Sequence, residues 1–257
     1  MVDLKALTRD QLPSDPHMYW RLSEEERMLL TLMSSAYEDT VLVSLRERQG
    51  SLTLEASTYT LVDFLADCDS QVRHSVAFAK RLEDFQQLDF DDRIACFRAS
   101  IGPTMAVRNG FIYVAERDSW LMLRGELPLD LYVRLFPYNP YLMWGVELCR
   151  DLKALARTDV TIYALLHCIL LFNPCNDKVS ARQRVSAMRD KYVILLRHYL
   201  QATFSFDYAE DYVRVLQDHI VEIRELNRVS KKLFTEMKHI VSEDFVPFEL
   251  LVEMHTG

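Results

Sequence analysis

Arg108 is the residue whose surroundings make the strongest chemical demand in this 257-residue chain. With Phe97 set to zero and 100° per residue, Arg108 falls at about 20° around a helix. Ile101 falls at about 40°, Ile112 at about 60° and Met105 at about 80° on the same wheel. A guanidinium therefore stands inside the apolar stripe of a helix that should run through a core. Burying it without a partner costs several kcal/mol. Two partners satisfy it: an Asp or Glu of another helix, or the polar end of a mostly apolar ligand. Gly102-Pro103 lies on the same helix. Pro103 has no N–H to bond residue 99, so an interruption is expected there.

Other chemistries find no support. The sequence has no glycine-rich phosphate loop, no G-x-S-x-G, no H-E-x-x-H and no cluster with metal-ligand spacing, so an enzyme is not expected. The net charge of −8 argues against a bare nucleic-acid binder, because a phosphate backbone demands a basic face. Cysteines 68, 96, 149, 168 and 175 never pair as C-x-x-C and sit in or beside apolar sequence, which reads as reduced core residues. No signal peptide is visible. The most apolar run, Val160 to Phe172, is too short to span a bilayer and contains His167, so a buried central helix is expected and no membrane partner.

The elements that must position Arg108 are helical. Apolar residues at 49%, with only 6 Gly and 8 Pro, leave material for one large core and little room for irregular structure. Ser23 followed by Glu24, Glu25 and Glu26 forms a capping box, and Met28, Leu29, Leu32 and Ala36 are expected to bury one face of the first helix. Residues 38–60 lack periodicity. Further helices are expected near 69–86, 89–114, 139–154, 158–172, 180–204, 208–237 and 246–255, with a small β-turn around Trp120 to Gly125. Phe78, Leu82 and Phe85 make a buried stripe, Leu88 continues it, and Ile94 and Phe97 resume burial after the acidic run from Asp89 to Asp92. Lys80 lies roughly 200° from Phe78 and faces outward.

The segment FAKRLEDFQQLDFDDRIACF, residues 78–97, resembles the signature of nuclear receptor ligand-binding domains: Phe-Ala-Lys, four residues, Phe, two residues, Leu, three residues, Asp-Gln, two residues, Leu-Leu, with departures at Arg93, where the family usually has Gln, and at Cys96. LSEEERMLLTLMSSAYEDT (22–40) and HIVEIRELNRVSKKLF (219–234) are similar to the vitamin D receptor branch of that family, which includes the nematode steroid receptor governing dauer formation. The resemblance implies an all-α fold, a three-layer helical sandwich of about ten to twelve helices with a small β-turn. It further implies a partly ordered lead-in over 1–22 and a ligand-binding domain over 23–257 that ends in an activation helix at 246–255.

The functional implications are specific. Arg108 and Trp120 fall on the pocket arginine and tryptophan of the vitamin D receptor, and Gln71, His74, Ser75, Met105 and Ile112 would line the same cavity. A planar fork of donors suits a carboxylate or hydroxyl, so a steroid or bile-acid-like ligand is expected and no cofactor. Leu250, Leu251, Glu253 and Met254 match the terminal activation pattern. Glu253 and Lys80, with Arg98 as a second basic position, would clamp the ends of a coactivator helix carrying Leu-x-x-Leu-Leu. Tyr212, Leu216, Ile223 and Leu226 form a stripe on a long helix over 208–237, which core packing alone explains; the resemblance implies the helix that builds dimers in the family, with retinoid X receptor or with a second copy, although Pro103 and Asn176 to Lys178 depart from the heterodimerising pattern. DNA would be met through a zinc-finger domain outside this sequence, in the nucleus. The alternative is an orphan receptor whose pocket is filled by side chains and which binds coregulators constitutively.

Overall fold

Two capping boxes set the first helices. Helix α1 (Glu24–Thr40) starts where the Ser23 hydroxyl accepts from the Glu26 amide at 3.1 Å and the Glu26 carboxylate accepts from the Ser23 amide at 2.8 Å. Helix α2 (Leu61–Ala79) starts on the equivalent pair Thr60 and Asp63. A computed structural model of the chain describes residues 4–43, 59–137 and 139–237. Within them α3 spans Glu83–Gln86, α4 Phe90–Ile112, α5 Leu129–Leu135, α6 Leu142–Ala156, α7 Val160–Leu171, α8 Arg182–Phe204 and α9 Phe206–Met237. The fold is a helical sandwich of three layers with one small sheet. Helices α4 and α7 form its middle, packed on each other and flanked by α1 and α2 on one side and by α6, α8 and α9 on the other. The expected terminal helix at 246–255 lies outside the described residues.

Several expectations are corrected. The helix expected over 69–86 is two elements, because α2 begins at its Thr60 box and ends at Ala79, and α3 is a separate turn. The burial pattern survives the break: Phe78, Leu82, Phe85 and Leu88 are all core. On α1 the buried face is Leu30, Met33, Ala36 and Tyr37, whereas Met28 and Leu32 are exposed. The wheel is offset because Tyr37, the largest side chain of the helix, takes the inward position against Phe78. Ile94 is 39% exposed rather than buried.

Pro103 does not interrupt α4. It removes one N–H and leaves the helix running, and the hydroxyls of Ser100 and Thr104 bond back to the carbonyls of Phe97 and Ile101 at 2.9 and 3.1 Å. The phase computed for Arg108 therefore holds, and Arg108 is 2% exposed. Close helix approach fixes the middle layer: a Cβ on Gly110 would stand 2.9 Å from the Leu152 Cβ of α6. Gly110→Ala is expected to destabilise the fold by about 1–3 kcal/mol through overpacking, read as a lower urea midpoint with unchanged slope.

The expected β-turn is a three-stranded antiparallel sheet, β1 (Tyr113–Val114), β2 (Ser119–Leu121) and β3 (Glu126–Pro128). Trp120 pairs with Tyr113 on one side and Leu127 on the other. The reversal between β1 and β2 uses Asp118 at φ 49°, a left-handed position that Asp tolerates. Arg150 of α6 holds that aspartate at 2.6 Å. Four cysteines are buried and free, and Cys175 is exposed. The α9 stripe of Tyr212, Leu216 and Ile223 is buried in the chain's own core against α8, with Leu226 partly so. The spacing read as a dimer face is occupied by intramolecular packing.

Candidate functional site

Helix α4 carries Arg108 inward, where its Nε donates to the carbonyl of Val41, just past α1, at 3.2 Å. Burial pulls the guanidinium below its usual pKa range, while the phenol of Tyr37, the carboxyl of Asp67 and the thiol of Cys68 pull it back up. Those three neighbours place it between α1 and α2. A guanidinium stays protonated in such a setting, so the site holds a fixed positive charge.

Helix α2 faces the same region with an unusual surface. Asp67, Gln71 and Ser75 recur at a spacing of four, share one face and are all buried. His74 is half-buried beside them. The Gln71 amide oxygen has no hydrogen-bond partner among the described residues. Fully buried acceptors are ordinarily paired, so this one lacks something that would donate to it.

Apolar walls extend from the polar face. Ile112 and Trp120 belong to a second core cluster with Tyr113, Met122 and Leu127, and Met105 packs partly buried on the main core. Trp120 meets Tyr132 edge-on at 5.1 Å between ring centres, and Phe64 of α2 meets Phe136 at 5.0 Å. Phe64, Tyr132 and Phe136 are each only half-buried. Gln71 and Ser75 are buried on α2 and Arg108 on α4, two helices that pack together, while Ile112 and Trp120 share the second core cluster. A separate cavity of about 280 Å³, lined by Leu7, Leu155, Asp159, Phe204 and Tyr212 among others, lies against the lead-in. None of the sequence-predicted ligand-site residues lines it.

The outer surface carries a different arrangement. Lys80 is exposed at the C-cap of α2, its backbone carbonyl accepting from Gln86 at 2.6 Å, and it makes no ion pair among the described residues. Val76, one turn earlier on the same face, is half-buried. On α4, Phe90, Ile94 and Arg98 recur at a spacing of four; Phe90 is 67% exposed and Arg98 half-buried. Helices α2 and α4 pack together. Glu253, Leu250, Leu251 and Met254 lie outside the described residues.

The family model of the ligand-binding domain of nuclear hormone receptors matches residues 53–241, most of the chain. The chain belongs to this family. No curated protein matches it significantly.

Membership makes it part of a ligand-regulated transcription factor, in a family that is generally non-enzymatic, typically nuclear, and given to binding small lipophilic ligands and coregulators. In this ligand-binding domain the signature residues do structural work first. Phe78 packs edge-on against Tyr37 at 5.2 Å and His167 at 4.9 Å, tying α2 to α1 and α7. Burial pushes the His167 imidazole down to about 3, so it stays neutral in that aromatic contact. Among the described residues no helix is long and apolar enough to cross a membrane.

Sequence reasoning passed over Asp67, Tyr37 and Val41. Asp67 had a legible signal: it stands one turn before Gln71 and two before Ser75, on the same face of α2. Val41 contributes only a backbone carbonyl, for which a sequence carries no sign.

Proposed function

We propose that this ligand-binding domain is a hormone-operated switch of the vitamin D receptor-like subgroup. A steroid-like ligand lies with its carboxylate or hydroxyl end against Arg108 and Gln71, with Ser75 and His74 beside them. Its apolar body rests on Met105, Ile112 and Trp120. The observation that carries this reading is a buried Gln71 acceptor with no partner among the described residues, on the helix that packs against the one carrying the buried Arg108. A ligand hydroxyl donates to that acceptor while its oxygen adds to the contacts of the guanidinium.

The outer surface supports the second half. The helix of a Leu-x-x-Leu-Leu coactivator sets its leucines on Val76, Phe90 and Ile94, with its terminal carbonyls toward Lys80 and Arg98. Leu250, Leu251 and Met254 close the groove, and Glu253 binds the orphan amides at the helix start. Ligand beneath the terminal segment adds contacts only in the closed state and so shifts its population. The dimer partner is retinoid X receptor or a second copy, and DNA is met through a zinc-finger domain outside this sequence.

The Arg108 bond to the Val41 carbonyl favours a second reading, an orphan receptor with a filled interior. A labelled Leu-x-x-Leu-Leu peptide, titrated with and without a panel of steroid acids and sterols, separates the two. Recruitment that rises with a steroid supports the switch, and strong recruitment unaffected by every steroid supports the orphan. Lys80→Ala is expected to weaken the peptide by about tenfold, since one end contact is worth roughly 0.3–2 kcal/mol. Glu253→Ala is expected to do the same while leaving steroid affinity intact, measured by fluorescence anisotropy and calorimetry.

A further inference from the structure

Asp67 is a carboxylate with a fully buried side chain, and its two oxygens are treated unequally. Oδ2 accepts from the Tyr59 hydroxyl at 2.7 Å and from the Arg124 amide at 3.5 Å. Among the described residues Oδ1 has no hydrogen-bond partner, and the Arg124 Nε stands 3.8 Å away. Arg124, from the turn between β2 and β3, spends its Nη1 donor on Asp63 at 3.0 Å instead. A buried carboxylate oxygen is left open at the end of the α2 polar row.

Its surroundings say what would fill it. Gln71, one turn along, carries a second acceptor oxygen with no partner among the described residues. Burial pushes the Asp67 carboxyl above its usual range, against the pull of the Tyr59 hydroxyl, Arg124 and, last, the Arg108 charge. Two buried acceptors stand one turn apart on α2, the helix that packs against the α4 helix carrying the buried Arg108. A group that both donates and accepts complements all three. A carboxylate complements only the guanidinium, and it would bring a second negative charge beside Asp67 in a poorly solvated place.

We propose that Asp67 is a further ligand-binding residue, accepting from a hydroxyl at the ligand end held by Arg108, and that it selects alcohols over carboxylic acids at that end. The proposal rests on the reading of the Arg108 region as the ligand site and narrows its ligand to a hydroxyl-ended steroid. Tyr59 and Arg124 act as positioning residues, fixing Oδ2 so that Oδ1 is the oxygen presented.

A matched pair of probes tests it: cholanic acid and the alcohol made by reducing its carboxyl group, each with one polar end on the same skeleton. Calorimetric titration of the full chain is expected to give an affinity at least about tenfold higher for the alcohol. Asp67→Asn removes the charge and keeps an acceptor, so the acid is expected to gain about tenfold and the preference to vanish. Equal binding of both probes to the wild type overturns the proposal, as does a preference that Asp67→Asn leaves unchanged while Arg108→Met still weakens both. If neither probe binds, or Arg108→Met leaves both affinities intact, the ligand-site reading itself fails and the proposal falls with it. Far-UV circular dichroism checks that the variant is folded, and if it is not, the wild-type preference alone decides.

Discussion

Arg108→Met is expected to lower the affinity of a polar-ended steroid by about a hundredfold or more. A guanidinium bonding to a ligand oxygen contributes charge-assisted hydrogen bonds worth about 1.5–3 kcal/mol each, and two of them reach that figure. Methionine keeps much of the volume and all of the apolar contact, so packing along Ile101, Met105 and Ile112 is preserved. The substitution also has a cost without ligand. The buried Val41 carbonyl loses the donor that reaches it at 3.2 Å, which destabilises the apo domain by about 1–3 kcal/mol. The two effects separate experimentally. Calorimetry reads the binding loss, and a urea melt without ligand reads the carbonyl. A variant that melts lower yet binds steroids within threefold of wild type would show that Arg108 only tethers the segment after α1, and the orphan reading would then hold.

That dual role explains how much of the site could be read in advance. A helical wheel finds Arg108 because periodicity reports which face a side chain takes, and Pro103 left that phase intact. The wheel misjudged α1, where Met28 and Leu32 are as apolar as Leu30 and Met33 but face solvent. Apolarity alone does not choose between two neighbouring stripes when the decision belongs to Tyr37, whose partners Phe78 and His167 are 41 and 130 residues away in sequence. The same limit hid the dimer question. A stripe at helical spacing looks identical whether a second chain or α8 covers it, and here α8 covers it. Ile94 errs the other way: an isoleucine is read as core from its type, yet it is 39% exposed here. The short strands were illegible for another reason, since segments of two or three residues are too brief to show alternation.

Asp92→Ala is expected to cost about 3 kcal/mol and to lower the melting temperature by roughly 6–12 °C for a domain of this size. In sequence Asp92 is one acid among several at a helix start, where a modest cap contribution would be assigned. In the fold it is buried and reaches across to the turn that opens α8. One oxygen accepts from the Ser180 amide at 2.6 Å, and the other accepts from the Ser180 hydroxyl at 2.9 Å and the Ala181 amide at 3.0 Å. Alanine leaves three donors without an acceptor at the join between α4 and α8, although water reaches the exposed Ser180 and limits the loss. Burial by itself would raise the carboxyl pKa; the three donors outweigh it and hold the group below its ordinary range. The sign follows from linkage. A carboxyl depressed in the folded state contributes stability that is fully present above its unfolded pKa, near 3.9, and that is lost as pH falls through the folded value. The gap in unfolding free energy between wild type and Asp92→Ala should therefore stay constant from pH 7 to about pH 5 and close below about pH 4. Urea titrations of both proteins across that range measure it directly. A gap that persists unchanged into acid would mean that the aspartate holds the α8 turn by shape rather than by its charge.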